Sequence, residues 1–151
     1  MQIEEIMSHT VHFCADHDTL EVAARQMWDH DIGCVPVLDA SGELVGIVTD
    51  RDICMAAYMR GLPLGRIPVR EAMARSLIVC RPEEPIDTVE QRMRTHQIRR
   101  LPVVGAHGQL MGMVSLADFV RLRSHACNHL LKPSHSIDMT LAAICQPRGN
   151  G

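Results

Sequence analysis

Residues 46–53 read GIVTDRDI, and residues 112–119 read GMVSLADF. Gly46, Thr49 and Asp52 of the first stretch are answered by Gly112, Ser115 and Asp118 of the second, each 66 residues further on. Glycine, two apolar residues and a hydroxyl read as the end of a strand. A hydroxyl followed three positions later by a carboxylate reads as the start of a helix. The hydroxyl at the N-cap accepts from a backbone N–H of the first turn, and the N3 carboxylate reaches back to the N-cap. The chain therefore predicts the same strand-to-helix junction twice.

The echo extends well beyond eight residues. At the same offset Met7 meets Met73, Cys14 meets Cys80, Leu20 meets Ile86, Met27 meets Met93, and Val35-Pro36-Val37 meets Leu101-Pro102-Val103. No gap is needed from about residue 6 to residue 59, which is the signature of a tandem duplication. Each copy predicts a short extended piece (Thr10 to Cys14, Leu77 to Cys80) and then an amphipathic helix. Leu20, Ala23, Ala24, Met27 and Trp28 mark that helix in the first copy, and Ile86, Val89 and Met93 in the second. A strand at Cys34 to Leu38 or Leu101 to Val104 follows, then a turn ending in Gly42 or Gly108. The second strand runs from Leu44 to Val48 or Leu110 to Val114, and the hydroxyl opens a second helix. The order is β-α-β-β-α. One such unit buries too little surface to be stable alone, so two copies in one chain are expected to share a core.

This pattern resembles tandem CBS domains, the modules named after cystathionine β-synthase. Two signatures carry the resemblance: Ile32-Gly33-Cys34-Val35-Pro36-Val37 with Ile98-Arg99-Arg100-Leu101-Pro102-Val103, and Gly46 to Asp52 with Gly112 to Asp118. Together, in order, twice and at one offset, they are specific. The run Ala143-Ile144-Cys145-Gln146-Pro147 further resembles the tail of stand-alone bacterial CBS proteins of the hypoxic-response type. The implied fold is α/β: two tandem β-α-β-β-α repeats packed as one pseudo-twofold module, with an extra C-terminal helix. The expected boundaries are repeat 1 at 1–62, a Gly/Pro-rich linker at 63–70, repeat 2 at 71–126, and a helix with a disordered tail at 127–151.

Composition excludes several functions. The chain of 151 residues has 46% hydrophobic and 22% charged residues, which suits a globular protein. A formal charge of −3 and 3% aromatic residues give no reason to expect nucleic acid. No apolar run approaches the ~20 residues of a membrane helix, and MQIEEIM is not a signal peptide. A cytoplasmic protein is expected, bound to no membrane. No nucleophile–base pair or Walker loop is spelled, so no enzyme is expected, and no cofactor is required.

The junction chemistry has two readings. In one, Thr49 with Asp52 and Ser115 with Asp118 only cap helices. In the other, the resemblance implies that Asp52 and Asp118 hold a ribose while Thr49 and Ser115 lie near phosphate. Adenine would be walled by Val11, His12 and Phe13 or by Leu77, Ile78 and Val79, with Val35 and Leu101 close by. A glycine before the junction would let the ligand approach the backbone. The cations differ between copies: Arg99 and Arg100 precede the strand in repeat 2, where repeat 1 has Gly33 and Cys34, and Arg51 stands where repeat 2 has Ala117. Collected in the cleft between repeats, Arg51, Arg99 and Arg100 would favour anionic nucleotides, at two sites of unequal affinity.

The implied function is regulatory binding of an adenine nucleotide of the AMP or ATP type, as an energy or stress sensor. The chain is expected to be a homodimer whose output passes through an unidentified protein effector. One rival is a structural or adaptor dimer with vestigial clefts. The other is a metal- or redox-responsive protein using the 9 histidines and 6 cysteines. His12, Cys14 and His17, and His125, Cys127 and His129, are the densest clusters, but neither reaches the four ligands of a structural zinc site, and no metal ligand is assigned. Cys14 and Cys80, at equivalent positions, are either buried thiols or a disulfide.

Overall fold

The strand grammar fixes the fold through one hairpin and its copy. The computed structural model describes residues 1–126 and residue 140. A two-residue strand β1 (Cys14–Ala15) leads into helix α1 (Leu20–His30), then β2 (Cys34–Leu38), β3 (Leu44–Thr49) and helix α2 (Asp50–Arg60). The second copy provides helix α3 (Ile86–His96), β4 (Arg100–Val104), β5 (Leu110–Ser115) and helix α4 (Leu116–Ala126). The extended pieces are shorter than expected. Residues 10–13 form no strand, and Cys80 makes only an isolated parallel bridge to Val103.

Each element follows from local chemistry. β2 and β3 pair antiparallel with Cys34 opposite Thr49 and Val35 opposite Val48, and β1 lies parallel to β2. The turns need left-handed backbone at Gly42 (φ 83°) and Gly108 (φ 78°), where a Cβ would be strained. α1 ends on Asp31 at φ 51° and α3 on Gln97 at φ 52°, again 66 residues apart, so both helices stop with the same left-handed cap. On α1, Leu20, Ala23 and Met27 are buried, but Trp28 is 88% exposed. Trp28 sits about 80° round the axis from Leu20, at the edge of the stripe, and tips outward.

The compact units do not follow the repeats. One comprises Val11–Ile78 with Gly105–Leu110; the other comprises Met1–Thr10, Val79–Val104 and the described part of Met111–Gly151. The cause is an exchange of leading segments. In the first unit Ala74, which precedes repeat 2, pairs with Ile47 of β3 through N–H···O bonds of 2.8 and 3.1 Å. In the second, Ser8 pairs with Met113 of β5 through bonds of 2.8 and 2.9 Å.

The core of the first unit gathers Leu20, Ala23, Val35, Val37, Val48 and Ile53 with Ile67, Val69 and Met73. Residues 63–70 are thus no loose linker. Ile67 and Val69 are buried, Leu20 N–H donates to the Ile67 carbonyl at 2.8 Å, and Val69 N–H donates to the Asp18 carbonyl at 2.8 Å. The second unit buries Ile3, Val89, Met93, Leu101, Val103, Val114 and Phe119. Its α3 also buries Glu90, whose Oε1 accepts from the Thr140 hydroxyl at 2.9 Å. Arg94 donates to the same hydroxyl at 2.9 and 3.2 Å. Apart from Thr140, the expectations for 127–151 lie outside the described residues.

Candidate functional site

The two junctions form as the residues dictate. Thr49, extended at φ −110°, caps α2. Its hydroxyl accepts from Asp52 N–H at 3.2 Å, while Asp52 Oδ2 accepts from Thr49 N–H at 2.8 Å and from its hydroxyl at 2.7 Å. At the second junction Asp118 Oδ2 accepts from Ser115 N–H and from its hydroxyl, both at 2.6 Å. The loop before each hairpin is tied to the same helix start. Asp50 N–H donates to the Gly33 carbonyl at 3.2 Å, and Leu116 N–H donates to the Arg99 carbonyl at 2.9 Å. This places Gly33 and Cys34 beside the start of α2, and Arg99 and Arg100 beside the start of α4. The carboxylate half of the capping reading is therefore realised at both junctions and the hydroxyl half at Thr49, and the cap uses one carboxylate oxygen at each site.

The second oxygens differ. Asp52 is half-buried, and its Oδ1 has no hydrogen-bond partner among the described residues. Asp118 is only 7% exposed, and its Oδ1 is held by the Arg121 guanidinium one turn along α4. Sequence reading missed Arg121, although its three-residue spacing from Asp118 was a usable signal. Met55 occupies the equivalent place on α2.

Both junction glycines are required by close packing. A Cβ built on Gly46 would lie 2.4 Å from Met73 Sδ, and one on Gly112 would lie 2.8 Å from the Ser8 carbonyl oxygen and 3.0 Å from Met7 Sδ. The exchanged leading segments fill the space beside both glycines.

The expected adenine walls are unequal. Val11 and His12 are half-buried and Phe13 is exposed, while Leu77, Ile78 and Val79 are half-buried. His12 stacks on His30 with ring centroids 3.4 Å apart. The Val79 carbonyl accepts from Arg92 at 2.7 Å, and Arg92 also clamps both oxygens of Glu84 at 3.1 and 2.6 Å. That guanidinium holds the Glu84 carboxyl below its ordinary range. Val35 and Leu101 are fully buried. Arg51, Arg99 and Arg100 are exposed, and their guanidinium groups carry no partner among the described residues.

Cys14, Cys54 and Cys80 are free thiols. Burial, then the nearby Asp18, pushes the Cys14 thiol up to about 11, and burial with Glu84 pushes Cys80 up to about 12. Both thiols are therefore protonated near neutral pH. No helix among the described residues is long and apolar enough to cross a membrane.

Comparison with known proteins agrees with this architecture. Residues 3–58 and 69–125 match the CBS domain family. Hypoxic response protein 1 of Mycobacterium tuberculosis is 34% identical over 143 residues, covering 95% of this chain and 93% of that protein. The crystallised CBS domain pair of protein MJ0100, in complex with 5′-methylthioadenosine and S-adenosyl-L-methionine, superposes with a TM-score of 0.74 at 28% identity. That match covers 83% of this chain and 98% of the other. Hypoxic Response Protein I, crystallised with two coordinated zinc ions, superposes with a TM-score of 0.72 at 30% identity, covering 87% of this chain and 100% of the other. Among the described residues here, no three His, Cys, Asp or Glu side chains gather as a metal donor set. His12 is stacked on another ring, and Cys14 is a buried thiol. His125, Cys127 and His129 lie outside the described side chains.

Proposed function

The chain belongs to the CBS-domain family, and from that premise we propose that it is a regulatory protein binding an adenine nucleotide of the AMP or ATP type. The observation that carries the reading is the division of labour at Asp52. Oδ2 is consumed by the cap, whereas Oδ1 is left at the positive end of α2, unengaged among the described residues. A carboxylate so placed accepts hydrogen bonds from vicinal ribose hydroxyls. The exposed Arg51 one position earlier supplies charge for phosphate, and the helix N-terminus favours the same anion. An apolar pocket is not required, because adenine can stack and bond along the segment Val11, His12 and Phe13.

Thermal-shift measurements with AMP, ADP, ATP, NAD and S-adenosylmethionine test this. A ligand at 100 times its dissociation constant adds about 2.7 kcal/mol of stability. No shift with any of the panel at millimolar concentration overturns the reading and leaves the adaptor function in its place.

The proposal extends to a homodimer that passes its output to a protein effector. Trp28, Met55, Tyr58 and Met59 are exposed on α1 and α2. A second copy presenting the same face covers both sets at once, as an isologous contact does. Light scattering is expected to return twice the 16.8 kDa chain mass, and Trp28→Glu is expected to return the single mass. A wild-type chain that stays monomeric at micromolar concentration removes the dimer.

A further inference from the structure

We propose that the two ribose-type carboxylates are deliberately unequal: Asp52 is the open acceptor that loads first, and Arg121 latches Asp118, so that a second nucleotide enters only by displacing an internal guanidinium. The inference rests on the nucleotide-binding reading above and adds the order and control of loading. Three observations carry it. At both junctions the N–H and hydroxyl of the capping residue donate to Oδ2 of the aspartate. Oδ1 of Asp118 is paired with Arg121, while Oδ1 of Asp52 is unpaired among the described residues. The position equivalent to Arg121 is Met55, whose thioether has no proton to donate to a carboxylate.

The pairing suits a latch. Asp118 is 7% exposed, whereas the Arg121 side chain is 65% exposed. The carboxylate is sheltered and fixed by the cap, and the cation that covers it is exposed to water. A charge-assisted bond to a sheltered carboxylate is stronger than a neutral one. A ribose hydroxyl competing for Oδ1 must therefore replace a cation with a neutral donor. At Asp52 the same hydroxyl meets no competitor. The copies are also inverted in cost and reward. Repeat 2 has the cations Arg99 and Arg100 beside its helix start, so a polyanionic nucleotide gains most where the latch must open.

Calorimetric titration of the full chain with ATP, AMP and S-adenosylmethionine tests the scheme. The wild type is expected to bind one nucleotide per chain tightly, with that event weakened about tenfold in Asp52→Asn. Arg121→Met, which copies the repeat 1 residue, is expected to tighten the second event at least tenfold; Arg121→Gln, a polar neutral substitute, is expected to do the same. The reciprocal Met55→Arg is expected to weaken the first event about tenfold. Melting curves confirm folding of each variant. Two equal events in the wild type, or an Arg121 variant whose second event is unchanged or weaker, overturns the latch while nucleotide binding stands. Absence of heat with all three probes in every chain overturns the nucleotide-binding reading, and the latch with it.

Discussion

Thr49 and Asp52 bind each other across the first turn of α2, and they do so with only one of the two carboxylate oxygens. Asp52 Oδ2 takes the Thr49 N–H at 2.8 Å and the Thr49 hydroxyl at 2.7 Å, while Asp52 N–H returns a bond of 3.2 Å to that hydroxyl. A cap and a ligand contact are often posed as alternatives for such a residue. Here the geometry lets one side chain do both.

Asp52→Asn separates the two roles. Asparagine can keep its one oxygen at the capping position and turn its amide toward the place of Oδ1. The helix start then loses mainly a charge–dipole contribution of about 0.3–1 kcal/mol. A ribose loses an anionic acceptor, and affinity is expected to fall about tenfold, equivalent to about 1.4 kcal/mol. Titration alongside thermal melts checks this. A lower melting temperature with unchanged affinity means that Asp52 only caps.

Gly112→Ala is expected to cost more than Gly46→Ala. The new methyl on Gly112 meets the Ser8 carbonyl oxygen at 2.8 Å, which is backbone and already bonded to Met113 N–H at 2.9 Å. The methyl on Gly46 meets only the side chain of Met73, and an unbranched thioether yields. Overpacking against backbone is expected to cost about 1–3 kcal/mol. In a chain of this size each kcal/mol lowers Tm by about 2–4 °C. Equal melting temperatures for the two variants contradict the exchange of leading segments.

What the sequence made legible was local. The Val-Pro-Val strand, the capping hydroxyl and the turn glycines each declare their structure within a few residues. The 66-residue echo then doubled every inference. What it hid was non-local. Nothing in the neighbourhood of Ala74 or Ser8 says that each pairs with a strand of the other copy, because a single bridge has no periodicity. That hidden exchange also conceals the packing of the glycines, beside which the space is filled by methionine. Trp28 misleads for another reason, since a residue at the edge of a helical stripe is assigned by a neighbour and not by its own pattern. Arg121 was visible as a charge, but which of its rotamers wins depends on Asp118 being sheltered.

Glu84 predicts a pH dependence confined to acid. Its carboxyl is held below the ordinary range, first by the hydrogen bonds from Arg92. A depressed folded value means that the contribution is present above the unfolded carboxylate range near about 4.3 and is lost as pH falls through the folded value. Glu84→Gln is therefore expected to lower stability by on the order of 1 kcal/mol at pH 7. The gap to wild type should close in acid, below the ordinary glutamate range. Melts across pH 2–8, a range of about six units spanning that transition, check the convergence. A gap that stays constant to the acid end assigns the loss to packing of the Arg92 stem.

The exposed arginines are expected to read phosphate and to do nothing for the fold. Arg51, Arg99 and Arg100 carry no side-chain partner among the described residues, so alanine at each should change stability by less than about 0.5 kcal/mol. If they reach phosphate, each charge-assisted bond removed costs about 1.5–3 kcal/mol, a factor of ten or more in affinity. Adenosine, which has no phosphate, should not notice. The order of loading decides where to look. Arg51 lies beside the open Asp52, so Arg51→Ala is expected to weaken ATP in the otherwise wild-type chain. Arg99 and Arg100 lie beside the latched Asp118. Their double alanine variant is expected to matter most in the Arg121→Met background, where the second event is tight enough to measure. Parallel titrations with ATP and adenosine give the comparison directly. A loss confined to ATP places the arginines at phosphate. An equal loss for both ligands means that these cations support the adenine or ribose end instead, and that the unequal cations of the two repeats do not select for charge.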